Sequence, residues 1–225
     1  LLAALNLERK EAGDLAKALI RPNRADDIID ILGQLAMIDD DLDDREKEFI
    51  QSFADDWGIS MDWDKIQETY GHKHGNPFDL LRAKLKDYLE TAPPKEQASQ
   101  LGDLVNLLVN IDNVVTDEEE LIQSEINGQI ARYLGEDAEI EVFKVAVVPQ
   151  SVEQEAIIEN QLKEHLKREN IAGGVAYVSE PYFSERYAEI ISNRYRSLHI
   201  FAVVFKPNHI LSVEDLKEKG LGQEV

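Results

Sequence analysis

The chain has 225 residues, enough for two modest domains with cores of their own, and it carries 24 Lys and Arg against 45 Asp and Glu, a formal net charge of −21. That balance argues against a duplex nucleic-acid partner, which needs surplus cations to displace counterions, and equally against docking on an anionic membrane surface. The lack of cysteine excludes disulfides, thiolate metal sites and cysteine nucleophiles, and no apolar run reaches the roughly 18 residues of a membrane span.

Residues 1–136 read as helices throughout. Leu1, Leu2, Leu5, Ala12, Leu15, Ala16 and Leu19 give one or two amphipathic segments, stopped by Arg21-Pro22-Asn23. The spacing predicts a helix from Asp26 to Ile38 with Ile28, Ile31, Leu32 and Leu35 on one face. A second runs from Asp44 to Trp57, with Phe49, Ile50, Phe53 and Trp57 inward and Gly58 as its stop. Further helices are expected over 62–70, 77–91, 94–111 and 117–134. Near Gly135-Glu136-Asp137 the texture changes: residues 1–136 hold 30 acidic and 14 basic side chains, residues 137–225 only 15 and 10. That shift marks a domain boundary.

Beyond it, Ile140–Val148 reads as a strand ended by Pro149. Ser151 starts a helix with Gln154 as capping-box partner and a stripe of Ile157, Ile158, Leu162 and Leu166. A strand Val175–Ser179 follows, then a Ser184-capped helix containing Tyr187, Ile190 and Ile191, and a strand His199–Lys206. Residues 210–225 read as a short helix and a loose tail. The β-α-β-α-β order predicts a three-stranded sheet with right-handed crossovers. The expected fold class is therefore a two-domain α+β chain, with an all-helical domain over 1–136 and a small α/β domain over 137–225. No charged-then-apolar leader opens the sequence, so a cytoplasmic setting is expected, and leucine at position 1 suits a piece of a longer protein.

The most informative feature is an internal repeat. An offset of 73 residues lays Ile28, Ile31, Leu32, Leu35 and Ile38 on Leu101, Leu104, Val105, Leu108 and Ile111. Across the loop it lays Glu46, Phe49, Phe53 and Trp57 on Glu119, Ile122, Ile126 and Ile130. One helix–loop–helix unit, about 26–57 and again about 99–130, has been used twice.

Both copies carry an acidic turn: Asp39-Asp40-Asp41-Leu42-Asp43-Asp44, and Asp112-Asn113-Val114-Val115-Thr116-Asp117-Glu118-Glu119. Two carboxylates 5 Å apart repel by about 1 kcal/mol in water and about 3 kcal/mol at an effective dielectric of 20. A hard cation such as Ca²⁺ or Mg²⁺, more than Zn²⁺, would remove that cost. Helix capping competes with this reading, since Asp43-x-x-Glu46 and Thr116-x-x-Glu119 both satisfy the capping box. Capping accounts for everything except Asp39 and Asp112, which end an apolar face at the same place in both copies. An EF-hand fails, because Asp44 and Ile50 stand where its glycine and bidentate glutamate are needed.

The duplicated helix, acidic turn and capping-box helix resembles the TerB-like, tellurite-resistance-associated family over about residues 24–136. That family's turn runs Ala-Asp-Gly-x-ϕ-[Asp/Ser/Thr]-x-x-Glu, with ϕ apolar; here Asp40 or Asn113 replaces the glycine. The resemblance implies an all-helical fold of two pseudo-related halves with a divalent-cation site, acting without catalysis in stress-linked assemblies. By position Asp39 and Glu46, with Asp112 and Glu119, take the cation-site role, and Asp43 and Thr116 complete the candidate set.

Weaker candidates lie elsewhere. His72 and His74, in Gly71-His72-Lys73-His74-Gly75, offer half a zinc site or simply an exposed loop. In a parallel sheet the carboxyl ends of the strands would gather Gln150, Ser151, Glu180, Tyr182 and Ser184 as a ligand edge, with no phosphate-binding glycine loop. Tyr177, Tyr182, Phe183, Tyr187 and Tyr195 suit either a protein-contact surface or core packing. The expected function is a cation-binding interaction or sensor module with protein partners in a stress-response assembly. The alternatives are a metal-dependent hydrolase using the same carboxylates with His72 or His74 as base, and a metal-free structural adaptor.

Overall fold

A computed structural model describes residues 21–39, 42–70, 76–111, 115–135, 140–162, 166–171 and 174–207, and the chain divides into two compact units, Leu1–Ala138 and Glu139–Val225. The helix expected within residues 1–19, His72, His74, Asp112 and the tail after residue 207 lie outside the described residues.

The first unit consists, among its described residues, of α1 (Ala25–Leu35), α2 (Asp44–Trp57), α3 (Trp63–Tyr70), α4 (Pro77–Glu90), α5 (Lys95–Val109) and α6 (Asp117–Leu134). Its centre is α1, eight of whose eleven residues are buried. Helices α2, α3, α4 and α5 all pack on α1, and α6 packs on α4 and α5. The apolar stripes of both repeats thus enter one core, in which Ile28, Ile31, Leu32 and Leu35 join Phe49, Phe53, Trp57, Leu101, Val105, Leu108, Ile122, Ile126 and Ile130. Phe49 and Phe53 meet edge to face at 5.1 Å between centroids, the geometry their ring quadrupoles favour. Helices α2 and α6 both stop at a glycine in the left-handed region, Gly58 at φ 66° and Gly135 at φ 88°, where a Cβ would be strained.

Polar anchors hold the surrounding helices in register. Lys84 of α4 sits between Asp27 and Asp30 of α1, at 3.1 and 2.7 Å; burial works to lower its pKa, but the two carboxylates outweigh that and raise it. Gln97, at the start of α5, accepts from the Asn23 backbone N–H and donates to the Asn23 carbonyl and the Tyr88 hydroxyl. Glu125 of α6 is fully buried and accepts a hydrogen bond from Arg82 Nε of α4 at 3.0 Å.

In the second unit the elements are β1 (Lys144–Val148), α7 (Val152–Ile157, continued by a wider π-helical stretch Ile158–Leu162), β2 (Leu166–Ile171), β3 (Gly174–Ser179), α8 (Glu185–Ser197) and β4 (Phe201–Phe205). The sheet corrects the expected topology. It has four strands in the order β2-β3-β1-β4, and every neighbouring pair is antiparallel. Residues 166–171, whose first member was expected to extend the buried stripe of the preceding helix, form an edge strand. They pair with β3 from Leu166↔Ser179 to Ile171↔Gly174. The connectivity is the split β-α-β arrangement β-α-β-β-α-β, in which each helical crossover joins two parallel strands with a third inserted between them. Helix α7 is capped by Ser151, which accepts from Gln154 N–H. The reciprocal arm differs from the expected capping box, because Gln154 accepts from Gln150 N–H and donates to the His199 carbonyl across the unit.

Because Glu125 has no exposure to water, Glu125→Ala leaves Arg82 facing an uncharged site and removes a buried pair. We expect the variant to lose about 3 kcal/mol of unfolding free energy or more in urea, and Arg82→Met/Glu125→Leu to recover most of it. Equal loss in the single and double variants would contradict this account.

Candidate functional site

Each acidic turn is built around a helix start. Asp43 is the N-cap of α2; its carboxylate accepts from Arg45 N–H at 2.7 Å and Arg45 Nε at 3.0 Å, and its own N–H donates to Glu46 Oε2 at 3.0 Å. Thr116 is the N-cap of α6; its hydroxyl accepts from Glu119 N–H, and its N–H donates to Glu119 Oε2 at 2.8 Å. Both capping boxes are complete, 73 residues apart. In each, the glutamate folds back over its own cap and leaves water: Glu46 is 6 % exposed and Glu119 8 %.

Electrostatics relate the two turns. Burial pushes the Glu46 carboxyl up to about 8, against the stabilising donation from Asp43 N–H, and the negative charges of Glu119, Asp39 and Asp43 add to the rise. Burial is the larger cause, and the contribution of Glu119 puts the second repeat's cap glutamate within electrostatic reach of Glu46 in the first. The sequence alone gave no distance between the copies. Asp43 behaves in the opposite way: the Arg45 guanidinium hydrogen-bonded to it holds its carboxyl below the usual range. Its charge is matched by Arg45, two residues on.

Asp39, Glu46 and Glu119 therefore share one neighbourhood at the junction of the repeats, with Asp43 paired to Arg45 and Thr116 contributing a neutral hydroxyl. Asp40, Asp41 and Asp112 lie outside the described residues. Among the described residues no group of three His, Asp or Glu is arranged to hold a metal ion. His72 and His74, the bases a hydrolase would need, are likewise outside them.

The candidate edge of the second unit is divided. The pairings Ala146↔Val178 and Val147↔Tyr177 run β1 against β3, so the carboxyl end of β1, leading to Gln150 and Ser151, and that of β3, leading to Glu180 and Ser184, lie at opposite ends of the sheet. Ser151 and Ser184 are helix caps, accepting from Gln154 and Tyr187 N–H. The aromatic residues belong to the core: Tyr177, Tyr182, Tyr187 and Tyr195 are all buried. Tyr177 donates its hydroxyl hydrogen to Glu159 at 2.6 Å, which raises its pKa to about 12.

No protein-family model, curated protein or solved structure matches this chain. No helix among the described residues is long and apolar enough to cross a membrane.

The position of Glu46 makes stability depend on pH with a definite sign. Its pKa of about 8 in the folded protein exceeds the ordinary 4.5, so the native state holds a proton that the unfolded chain releases. Its contribution is complete below about pH 4.5 and is lost as pH rises to 8, at up to about 1.4 kcal/mol per pH unit. Glu46→Gln, which keeps an acceptor for Asp43 N–H, removes this term. In chelator-treated protein the melting temperature of the variant should gain on the parent steadily from pH 5 to pH 8; a difference independent of pH would contradict the assignment.

Proposed function

We propose that the helical unit is a non-enzymatic, divalent-cation-binding interaction module. The observation that carries this reading is the placing of two buried cap glutamates, one from each repeat, within electrostatic reach of each other and of Asp39. Carboxyls gathered in this way are costly to ionise together where burial removes water, and a bound cation lowers that cost. The chemistry of the donors supports a hard ion, because every candidate side chain offers oxygen. Asp39, Glu46, Glu119 and Asp112 would hold the ion, while Asp43 is matched by Arg45. The ion would supply two positive charges at the junction and so favour the arrangement in which the two repeats face each other. A protein partner that recognises this arrangement would then sense the ion through linkage. The resemblance to TerB-like domains supports the same reading and adds the setting, a stress-response assembly of several proteins.

Calorimetric titration of Ca²⁺, Mg²⁺, Mn²⁺ and Zn²⁺ into chelator-stripped protein tests the proposal, with Asp39→Asn/Asp112→Asn run beside the parent. Saturable binding of Ca²⁺ or Mg²⁺ that weakens about tenfold or more in the double variant is the expected result, since affinity in such sites follows the count of charged ligands. Absence of saturable binding, or binding indifferent to the substitutions, would reduce the acidic turns to helix caps and solubilising charge.

A further inference from the structure

The two faces of the sheet are buried by different means. Strand register divides them: Val145, Val147, Tyr177, Ala202 and Val204 share one face, and Ala146, Val148, Ala176, Val178, Phe201, Val203 and Phe205 share the other. Helix α7 lies on the first, where the Tyr177 hydroxyl reaches Glu155 and Glu159. On the second, Ala146, Ala176, Val178 and Val203 form a cluster with Val148, Phe201 and Phe205 that includes no residue of α7 or α8. Helix α8, which packs on β1 and β4, therefore also belongs to the first face. Yet the four central residues of this second face, which carries no helix among the described residues of the unit, are only 1–3 % exposed. A sheet does not keep water from the middle of its own face, so burial this complete needs a cover.

We propose that the cover is the C-terminal segment, residues 208–225. The chain leaves the sheet from β4, an edge strand whose Phe201, Val203 and Phe205 all stand on this face. Pro207 removes the N–H that would continue strand pairing. The segment that follows has the sequence of a short amphipathic helix. In such a helix Ser212 would be the N-cap with Asp215 three residues on, and Leu211 and Leu216 would take the two positions of a hydrophobic staple. Ile210, Leu211, Val213 and Leu216 supply the apolar side, and Gly220 stands where the helix would stop. From Val213 to Gly220 such a helix is about 12 Å long, close to the roughly 14 Å spanned by four strands. The small side chains of Ala146 and Ala176 at the centre of the face leave room for a helix to approach. Lys144, Lys167 and Glu169 share that face by register, two cations against one carboxylate, a surplus that complements the acidic residues Glu214, Asp215 and Glu218.

The absence of cysteine permits a direct test in the full chain. Val203→Cys reports on the helix-free face and Val147→Cys on the helix-covered face, each read by its rate of thiol modification. Both should be slow in the otherwise unaltered chain. Adding Leu211→Asp/Leu216→Asp should speed modification of the Val203→Cys protein at least tenfold and leave the Val147→Cys protein slow. In a separate chain, Val203→Cys combined with Leu216→Cys or with Val213→Cys should form an intramolecular disulfide on mild oxidation. That readout does not depend on the charged variant folding. Protection at position 203 that survives the two aspartates, together with no disulfide in either cysteine pair, would overturn the proposal in favour of another part of the chain. Protection that falls on dilution would overturn it in favour of a second copy.

Discussion

The helical unit depends on a constraint at its two acidic turns: the carboxylates that finish the capping boxes are also the ones buried where the repeats meet. A capping box requires its glutamate to fold back over the first turn of its own helix. In α2 and α6 the glutamate is the buried member of that turn, so satisfying the orphan N–H groups of Asp43 and Thr116 draws Glu46 and Glu119 out of water while Asp44, Asp117 and Glu118 stay exposed. The local requirement of each helix start thus creates a shared electrostatic problem. Helix α1 makes this unavoidable, since it packs on one helix of each repeat, α2 and α5, and brings both loops into one structure.

The two repeats resolve this problem differently. At the first cap the residue is a charged Asp43, and Arg45 two residues on neutralises it through three contacts at 2.7–3.4 Å. At the second the residue is Thr116, which caps with a neutral hydroxyl and needs no counter-charge. Both solutions cap the first turn without adding an unmatched charge from the cap residue itself. What remains there is Glu46, Glu119 and Asp39, and nothing in capping accounts for Asp39.

Much of this was legible in the sequence because the helical unit obeys local rules. The six helices observed in the first unit lie where apolar spacing and the punctuation of Gly58, Pro77 and Gly135 predict them. The x-x-Glu spacing marks both capping boxes, and the offset of 73 residues relates them. The second unit was less legible because β2 has little local signal. Its residues Leu166-Lys167-Arg168-Glu169-Asn170-Ile171 are mostly polar, Lys167 to Asn170 are exposed, and Leu166 continues the helical spacing of Ile158 and Leu162. Pairing with β3 outweighs that propensity, as is common for strands. Missing β2 turned an antiparallel sheet into a parallel one, and with it went the premise that placed Gln150 and Glu180 on one edge.

For Glu125 the information lies in position along the helix and not in composition. It lies between Ile122 and Ile126 on the buried stripe of α6, three residues from one and adjacent to the other, so the 3.6-residue period already placed it in the core. Among so many carboxylates, composition alone does not set it apart. A carboxylate on an apolar stripe needs a cationic partner from another element, and the residue that supplies it, Arg82, stands on α4. The offset of 73 pairs Glu125 with Ser52 in the first repeat, which is only partly buried and bonds to its own helix. The duplication therefore shaped the core and the caps but not this pair. Glu125–Arg82 belongs to the asymmetric part of the unit, where α4, which has no counterpart in the repeat, is held against the second copy.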